Sequence, residues 1–428
     1  MLDSVEIPDL TSRIYRALAL LRTTYRSNGL ECGWYHYLDD NRPGATASAV
    51  GLMSFVIAGA PFEYTRNVLT FLRATQVVSN DPKLSGGWAI RTTGHQPVME
   101  ASGWIVRFLG LSRSLLKFDS PDVSAAYNWI LQNQNADHGW GSLYGQASRT
   151  YLTCLALRAL ATLDPNCEAL LLGQDWLLKN HSGTYSAWGP IPSSPPTVLH
   201  TGFVLLALAE LGIDLNMPAI KQAYEWLLSN LRPAELVETL SQVEDYNIIY
   251  YENGERVTYQ NSLPHFALPV AISALLRSPY GLHQEVVYRG LRTIVNKQLD
   301  DGYWDNPRNP ARVSIWAIWP FFQALVDVTN LPYLRTAFSV TRVSNALVVR
   351  YKNAGVPLLS LLAWDFVVVL ARQLLHYWSP LLLVLFVVGG LVLVSLKYID
   401  LWEYVLSLFV PIVLVFIQLS LEHRGKPR

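Results

Sequence analysis

A helical segment that ends shortly before a glycine–tryptophan pair recurs along this chain. The clearest copy is WILQNQNADHGWG at residues 129–141. The tryptophans of the motif recur about every 50 residues, with one double interval before the last copy, at positions 34, 88, 140, 188 and 304. A period of this size is typical of repeat architectures, and the double interval implies that one unit has lost its signature. The chain therefore reads as six units.

Each of the six units, including the one that has lost the motif, continues with a second, nearly uncharged segment. These segments begin at Ala45, Val98, Ala147, Val198, Leu263 and Ala311. The first segment of each pair carries more charge, as in AIKQAYEWLLSNL from Ala219, whereas an almost wholly apolar helix is covered on most sides. Six hairpins with a polar outer helix and an apolar inner helix predict an all-α fold, an (α/α)6 toroid over residues 1–335. An open solenoid with unlike ends is the alternative.

The residues of the motif resemble a known repeat. Gln134, Asp137, Gly139 and Trp140 are similar to the QW repeat of squalene–hopene-type terpenoid cyclases and protein prenyltransferase β subunits. Partial copies occur at Gln76 with Gly87–Trp88, and at Gln298 with Asp301, Gly302 and Trp304. The resemblance covers about residues 10–330 and implies a toroid with a central cavity. The motif residues themselves are expected to be structural, with the tryptophan packed over the turn.

Two apolar runs near the C-terminus predict a transmembrane hairpin at 379–421. They start at Ser379 and Trp402, and each holds about 17 uncharged residues, close to the ~20 that span a bilayer core. Both flanks are basic, with Arg372 before the hairpin and a basic tail at 422–428. The positive-inside rule therefore predicts a multi-pass protein of the cell membrane, with the toroid and the C-terminus in the cytoplasm. A buried helical pair in a soluble core is the alternative.

Residues 336–378 are predicted to be a linker followed by an amphipathic or interfacial helix. Asp365 lies in the middle of the apolar stretch from Pro357, and a carboxylate is costly at bilayer depth. Whether 357–378 is embedded in the membrane stays open.

Composition excludes some classes of function. Lys+Arg and Asp+Glu are balanced at 33 each, so no overall basic field attracts nucleic acid. Cys32, Cys154 and Cys167 form no CxxC pair, which argues against a disulfide framework and a cysteine-based zinc cluster.

The starts of the inner helices carry the candidate chemistry. A toroid brings all six starts to one mouth, and superposing the segments aligns Thr46, Glu100, Arg149, His200, His265 and Arg312. We predict catalytic candidates among the ionisable members, which are Glu100, Arg149, His200, His265 and Arg312. The alternative is that these residues only cap helices at a wet rim. Helix capping explains Glu100 well, because a carboxylate is stabilised at the positive end of the helix dipole. It explains Arg149 and Arg312 less well, because a cation at a helix N-terminus opposes that dipole.

The resemblance implies two possible activities, but the sequence lacks the residue motif that each activity requires. No DxDD acid motif is present, so protonation of an alkene in the manner of squalene–hopene cyclases is doubtful. The VLHTGFVLLAL segment is similar to the one that supplies a zinc-binding histidine, here His200, in protein prenyltransferases. The preceding inner helix offers no D-x-C, and Cys154 lies about a turn deeper. Enzymatic activity is therefore left open and no metal or other cofactor is predicted, with zinc as the alternative.

Aromatic side chains in the inner helices predict a lined cavity. The candidates for substrate binding are Trp104, Tyr151, Phe203, Phe266 and Trp316, with Trp319 nearby. Such side chains hold isoprenoids, acyl chains or carbocations through their ring faces, although aromatic residues on packed helices also serve as core. Pro269 is expected to kink the fifth inner helix.

The unit that lost its signature carries a long connector at 232–262. Asn253–Gly254, flanked by aromatic and β-branched residues, predicts a β-hairpin. A connector of this length is expected to be functional. Because it leads to His265, we expect it to arch over the mouth as a lid or as a docking surface for a protein partner.

These observations support a membrane-anchored protein, similar to terpenoid cyclases and prenyltransferases, that binds or transforms an isoprenoid or other membrane lipid in a central cavity. The alternative is a non-catalytic toroid that binds a ligand or protein partner and signals to its transmembrane hairpin. The missing motifs favour this second reading.

Overall fold

Six helical hairpins make up most of the structure. The computed structural model describes residues 6–7, 10–37, 40–90, 92, 94–113, 121–231, 242–252, 255–281, 284–304, 314–330, 338–343 and 346–351. The outer helices are α1 (Leu10–Thr24), α3 (Thr65–Ala74), α5 (Val123–Gln132), α7 (Glu168–Lys179), α9 (Pro218–Asn230) and α11 (Glu285–Asn296). The inner helices are α2 (Ala45–Ile57), α4 (Met99–Leu111), α6 (Thr150–Leu163), α8 (Val198–Glu210), α10 (Ala267–Leu276) and α12 (Ile315–Asn330).

The inner helices form a closed ring. Each packs against the next inner helix in the chain, and α12 packs back against α2. Each outer helix from α3 to α11 packs mainly against the inner helix that precedes it in the chain, and α1 packs mainly against α12. The hairpins therefore form an α/α toroid, and the open-solenoid alternative is wrong. All inner-helix N-termini meet at one end of the toroid, which we call the rim, and the C-termini meet at the opposite end, the floor.

Four of the motif tryptophans connect an outer helix to the inner helix that follows it in the chain. The indole of Trp88 donates to the carbonyl of Leu72 at the end of α3 (2.8 Å), and its backbone N–H donates to Ser102 Oγ in α4 (2.8 Å). Trp140 makes the matching bonds to Ile130 O and Thr153 Oγ1. The same pair of bonds occurs at Trp34 and Trp188. The motif is structural, as the sequence indicates.

The motif glutamines connect neighbouring hairpins. Gln76 Nε2 donates to Gly86 O within its own turn and to Asp122 O at the start of α5, both at 2.8 Å. Gln298 Nε2 donates to Gly302 O and to Arg13 O in α1, both at 2.9 Å. This last bond joins residues 285 positions apart, so it links the last outer helix to the first.

Strands occur outside the helical ring, so the fold is mainly α and not wholly α. A ribbon of β2 (Arg26–Asn28) and β3 (Glu31–Gly33) lies in the first unit, and β1 (Glu6–Ile7) pairs with β7 (Ala346–Tyr351), which pairs with β6 (Phe338–Val343). The first part of the predicted linker thus adds strands to the toroid unit. The connector forms β4 (Gln242–Glu252) and β5 (Glu255–His265), which we call the rim hairpin. The predicted hairpin is confirmed, with Glu252 opposite Glu255.

The membrane predictions fall outside the described residues. These predictions are the helix at 357–378, the transmembrane hairpin at 379–421 and the basic tail at 422–428. Among the helices that the structure does describe, none is both long enough and apolar enough to cross a bilayer.

Candidate functional site

The rim hairpin turns one face into the mouth of the toroid. Side chains alternate between the two faces of a strand, and in β4 Glu244 and Ile248 are buried whereas Asp245 and Asn247 are exposed. The antiparallel register places Glu244 opposite Leu263. A carboxylate therefore occupies a buried position on a face where apolar side chains are the rule.

Glu244 is surrounded by basic side chains from three neighbouring inner-helix starts. Arg149 Nε donates to Glu244 Oε1 at 2.6 Å, and His200 Nε2 lies 3.2 Å from Oε2. His265 Nε2 lies 3.5 Å from the same oxygen. We call Arg149, His200 and His265 the basic cluster. Three of the predicted candidates thus meet, and what joins them is a carboxylate that the sequence analysis did not single out.

Additional contacts fix the orientation of two members of the basic cluster, His200 and Arg149. The Thr197 hydroxyl accepts from the backbone N–H of His200 and lies 2.8 Å from Nδ1 of its ring. This arrangement holds the ring with Nε2 facing the Glu244 carboxylate, which accepts a hydrogen bond from it. The guanidinium of Arg149 stacks on the ring of Tyr246, with Cζ 4.3 Å from the ring centroid. Both basic groups are therefore held in position before any ligand arrives.

The charge state of the cluster follows from burial and pairing. Burial alone would raise the pKa of Glu244, but the hydrogen bonds of His200 and His265 and the charge of His200 hold it well below its ordinary value. Burial lowers the pKa of His265 despite the nearby carboxylate. The site thus contains an ionised Glu244 beside a His265 imidazole that is biased towards its neutral form.

Glu100 is the second buried carboxyl group at the rim. Ser142 Oγ donates to it at 2.7–2.8 Å, Asn261 Nδ2 donates to Oε1 at 3.2 Å, and the Tyr246 hydroxyl also donates to Oε1. Burial raises the pKa of Glu100 above its ordinary value, although these hydrogen bonds act in the opposite direction. Two of the donors, Tyr246 and Asn261, belong to the rim hairpin. Glu100 is therefore a shielded acid that stays protonated to a higher pH than a surface glutamate.

A pocket of about 600 Å³ lies beside Glu100, and we call it the rim pocket. This volume is within the usual range for small-molecule sites. Its apolar lining includes Ala47, Ile90, Tyr151, Leu263, Pro264 and Trp316. Its polar lining includes His36, Asp40, Asn41, Arg42, Glu100 and Asn261, and Thr46 also lines it. The pocket thus offers both apolar and hydrogen-bonding walls.

The central cavity is much smaller than the rim pocket. It has a volume of about 30 Å³ and is lined by Trp104, Phe203, Phe266, Trp316 and Trp319 among others. Trp104 packs edge-on against Trp316 (5.1 Å between ring centroids) and against Trp319 (5.8 Å). The predicted aromatic wall is present, but in this structure its rings fill the axis of the toroid. The larger space is at the rim, contrary to the expectation of a wide central cavity.

A buried charge network closes the floor. Arg158 forms two hydrogen bonds to Glu210, at 2.6 and 2.9 Å, and Arg107 donates to the same carboxylate at 3.0 Å. Arg277 bridges Glu210 and Asp327. Burial lowers the pKa of Arg107 to about 9. The sequence analysis missed this network, although charged residues inside the apolar helices α4 and α6 were the available signal.

The remaining predicted residues have different outcomes. Arg312 lies outside the described residues. His265 is the last residue of β5 and not a helix residue, because α10 starts at Ala267. Pro269 consequently sits in the first turn of α10, where proline is tolerated, so the predicted mid-helix kink is wrong. Within the described part of the chain, no group of three or more His, Cys, Asp and Glu side chains is arranged to hold a metal ion.

Comparisons with known proteins give only distant similarities. No family model and no curated protein matches the sequence. Among solved structures, the type II terpene cyclase MstE from Scytonema is 16% identical, with 75% of this chain and 98% of that chain covered and a TM-score of 0.48. Another structure of that enzyme contains geranylgeranyl dihydroxybenzoate, its substrate.

Two further structures resemble the chain to a similar degree. Protein geranylgeranyltransferase-I of Candida albicans, complexed with GGPP, is 15% identical, covers 74% of this chain and 86% of its own, and has a TM-score of 0.41. A family 76 glycoside hydrolase (mannosidase) of Bacteroides thetaiotaomicron is 10% identical, covers 74% and 97%, and has a TM-score of 0.49. The function of this chain must therefore be argued from its own residues.

Proposed function

We propose that this protein binds an isoprenoid or a similar lipid in the rim pocket. The observation that carries the proposal is a pocket of about 600 Å³ with aromatic and aliphatic walls on one side and a buried carboxyl group, Glu100, on the other. Tyr151 and Trp316 offer ring faces to an unsaturated chain. The polar side chains of Asp40 and Arg42 suit a polar end group. Such a lining fits an amphiphile better than a wholly polar metabolite.

Glu100 is the group that we propose for chemistry, if the bound lipid is transformed. A carboxyl group whose pKa is raised by burial retains its proton to a higher pH than a surface glutamate, and in its protonated form it can act as a general acid. Tyr246 and Asn261 of the rim hairpin hold it in position. This role does not depend on the DxDD motif, which the sequence lacks.

Lipid analysis of the purified protein tests the binding proposal. We expect mass spectrometry to find an isoprenoid or related lipid bound to the wild-type protein. Thr46→Trp, which places a large ring in the rim pocket, should remove it. Thr70→Trp, on the outer helix α3, is the matched control and should retain it. Lipid retained equally by both variants, or absent from the wild type after extraction from lipid-rich membranes, contradicts the proposal.

A second candidate function is a non-catalytic sensor that binds a ligand or partner and signals to its C-terminal segment. This sensor function is favoured because Glu244 occupies the basic cluster. Three of the five predicted catalytic candidates thereby form ion pairs with a residue of the same chain. The two candidates differ in one measurement. Incubation with labelled isoprenoids yields a new product only for an enzyme, and this product should disappear in Glu100→Gln.

We also propose that residues 379–421 anchor the protein to the cell membrane as a hairpin, with the toroid on the cytoplasmic side. Two long uncharged runs and their basic flanks support this topology. Alkaline extraction should leave the full chain in the membrane fraction and release a variant lacking 379–421. Protease added to sealed, right-side-out vesicles should leave the toroid intact, and cleavage there would contradict the topology.

A further inference from the structure

The basic cluster has the properties of an anion-binding site that is already filled. Arg149 precedes α6, His200 lies in the first turn of α8, and His265 precedes α10, so three separate elements direct basic groups at one point. That point is occupied by the Glu244 carboxylate, which belongs to a connector and not to the helical ring. Without Glu244 the site would hold the buried charge of Arg149 with no counter-ion.

The Glu244 carboxylate does not satisfy the whole cluster. Its two oxygens accept from Arg149 and His200, at 2.6 and 3.2 Å. The Nε2 atom of His265, whose side chain is only 2% exposed, is the most distant of the three from the carboxylate, at 3.5 Å from Oε2. A hydrogen bond of this length is weak. A tetrahedral oxyanion offers at least three acceptor oxygens, one for each basic side chain.

The rim hairpin is suited to release its carboxylate. Among the described residues its two strands pair only with each other, and a lone two-stranded hairpin is at best marginally stable. Its position therefore depends on contacts with the rim. Besides Glu244 these include the bond from Gln146 Nε2 to Ile249 O and the bond from Trp316 Nε1 to Pro264 O.

We propose that Arg149, His200 and His265 form a binding site for a phosphate-type oxyanion, and that Glu244 occupies it as an internal competitor. A ligand oxyanion replaces the carboxylate, pairs with all three basic groups and releases the inner face of β4. The site lies next to the rim pocket, because Tyr151 lines that pocket and its ring centroid is 4.5 Å from that of His265. An anionic end group here goes beyond the proposed lipid binding and does not require it.

Titration of the full-length protein with inorganic phosphate by calorimetry tests the site. Glu244→Gln keeps the shape of the side chain and removes its charge. We expect it to bind phosphate at least about tenfold more tightly than the wild type, a difference of ~1.4 kcal/mol. Adding Arg149→Met to Glu244→Gln should abolish the gain. Asp245→Asn is the matched control, since it removes the same charge from the outer face of β4 and should bind as the wild type does.

Three outcomes would overturn the proposal. They are equal phosphate binding by Glu244→Gln and the wild type, an equal gain in Asp245→Asn, and binding of acetate in preference to phosphate by Glu244→Gln. If Glu244→Gln does not fold, amide hydrogen exchange of the wild-type protein tests the proposal instead. Saturating phosphate should then lower amide protection in β4 selectively, and unchanged protection contradicts the proposal. Because these experiments measure phosphate binding and add no lipid, their failure is distinct from failure of the proposed function.

Discussion

Arg149 Nε and Glu244 Oε1 lie 2.6 Å apart, joining the start of an inner helix to a strand 95 residues later in the sequence. The pair is one of several polar links between the helical ring and the rim hairpin. Glu244 is 3% exposed and Arg149 is 15% exposed, so solvent screens their interaction only weakly. The two sides of the candidate site are therefore coupled through a buried ion pair.

Arg149→Met should destabilise the protein strongly. It leaves the Glu244 carboxylate buried without its cation, and breaking a buried pair in this way costs about 3–5 kcal/mol. Urea unfolding followed by tryptophan fluorescence measures the change. Lys179→Met removes a cation from the exposed Asp175–Lys179 pair and should cost less than about 1 kcal/mol. Equal losses in the two variants would show that the Arg149–Glu244 pair does not hold the hairpin.

Replacing Glu100 should change how stability depends on pH. Burial raises the pKa of Glu100 above 4.5, so between 4.5 and the raised pKa the folded state binds a proton that the unfolded state does not. Wild-type stability therefore falls as pH rises through this window. Glu100→Gln has no titrating group at this position, so its stability relative to the wild type should increase as the pH rises above 4.5.

Denaturant unfolding at a series of pH values provides the measurement for Glu100. Tyr246→Phe is a useful second variant, because it keeps the carboxyl group and removes a hydrogen bond that lowers its pKa. Its fall in stability should extend to higher pH than in the wild type. A difference between Glu100→Gln and the wild type that does not vary with pH would exclude a raised pKa.

The helical ring itself could be predicted from the sequence because its signals are local and repeated. A glycine beside or near a tryptophan marks five of the six turns, and three of these turns also carry a glutamine. The structure shows that Trp140 and Gln298 make contacts that close such turns. The partners on the inner helices, such as Ser102 and Thr153, were not singled out. A hydroxyl residue 13 or 14 positions after the first four motif tryptophans was the available signal.

The set of side chains that meet at the rim was harder to predict from the sequence. Glu100, Arg149, His200 and His265 could be aligned because inner-helix starts share one end of a toroid. Glu244 could not, since its position depends on how a connector folds back across the mouth. Alternation in β4 predicts which residues share a face, but not which face turns inward. Side-chain packing also decides cavity size, and no periodicity indicated that Trp104, Trp316 and Trp319 would fill the axis.

Close packing of the repeat predicts a cost for adding a methyl group at Gly173. A Cβ there would lie 2.6 Å from Trp140 Cζ3 and 2.8 Å from Leu157 Cδ2. We expect Gly173→Ala to lower the free energy of unfolding by about 1–3 kcal/mol through overpacking, even though alanine is the better helix former. Gly183→Ala, where a Cβ would meet nothing within 4 Å, should stay within about 0.5 kcal/mol of the wild type. A stabilised Gly173→Ala protein would contradict the packing.

Photo-crosslinking with a diazirine-bearing isoprenoid alcohol tests the central claim, that the rim pocket binds an isoprenoid-like lipid, most directly. The account predicts that label concentrates on peptides lining the pocket, at residues 36–47, 90–101 and 259–264. Thr46→Trp should prevent this labelling and Thr70→Trp should leave it unchanged. Label spread over the outer helices, or labelling of the rim that persists in Thr46→Trp, would contradict the account.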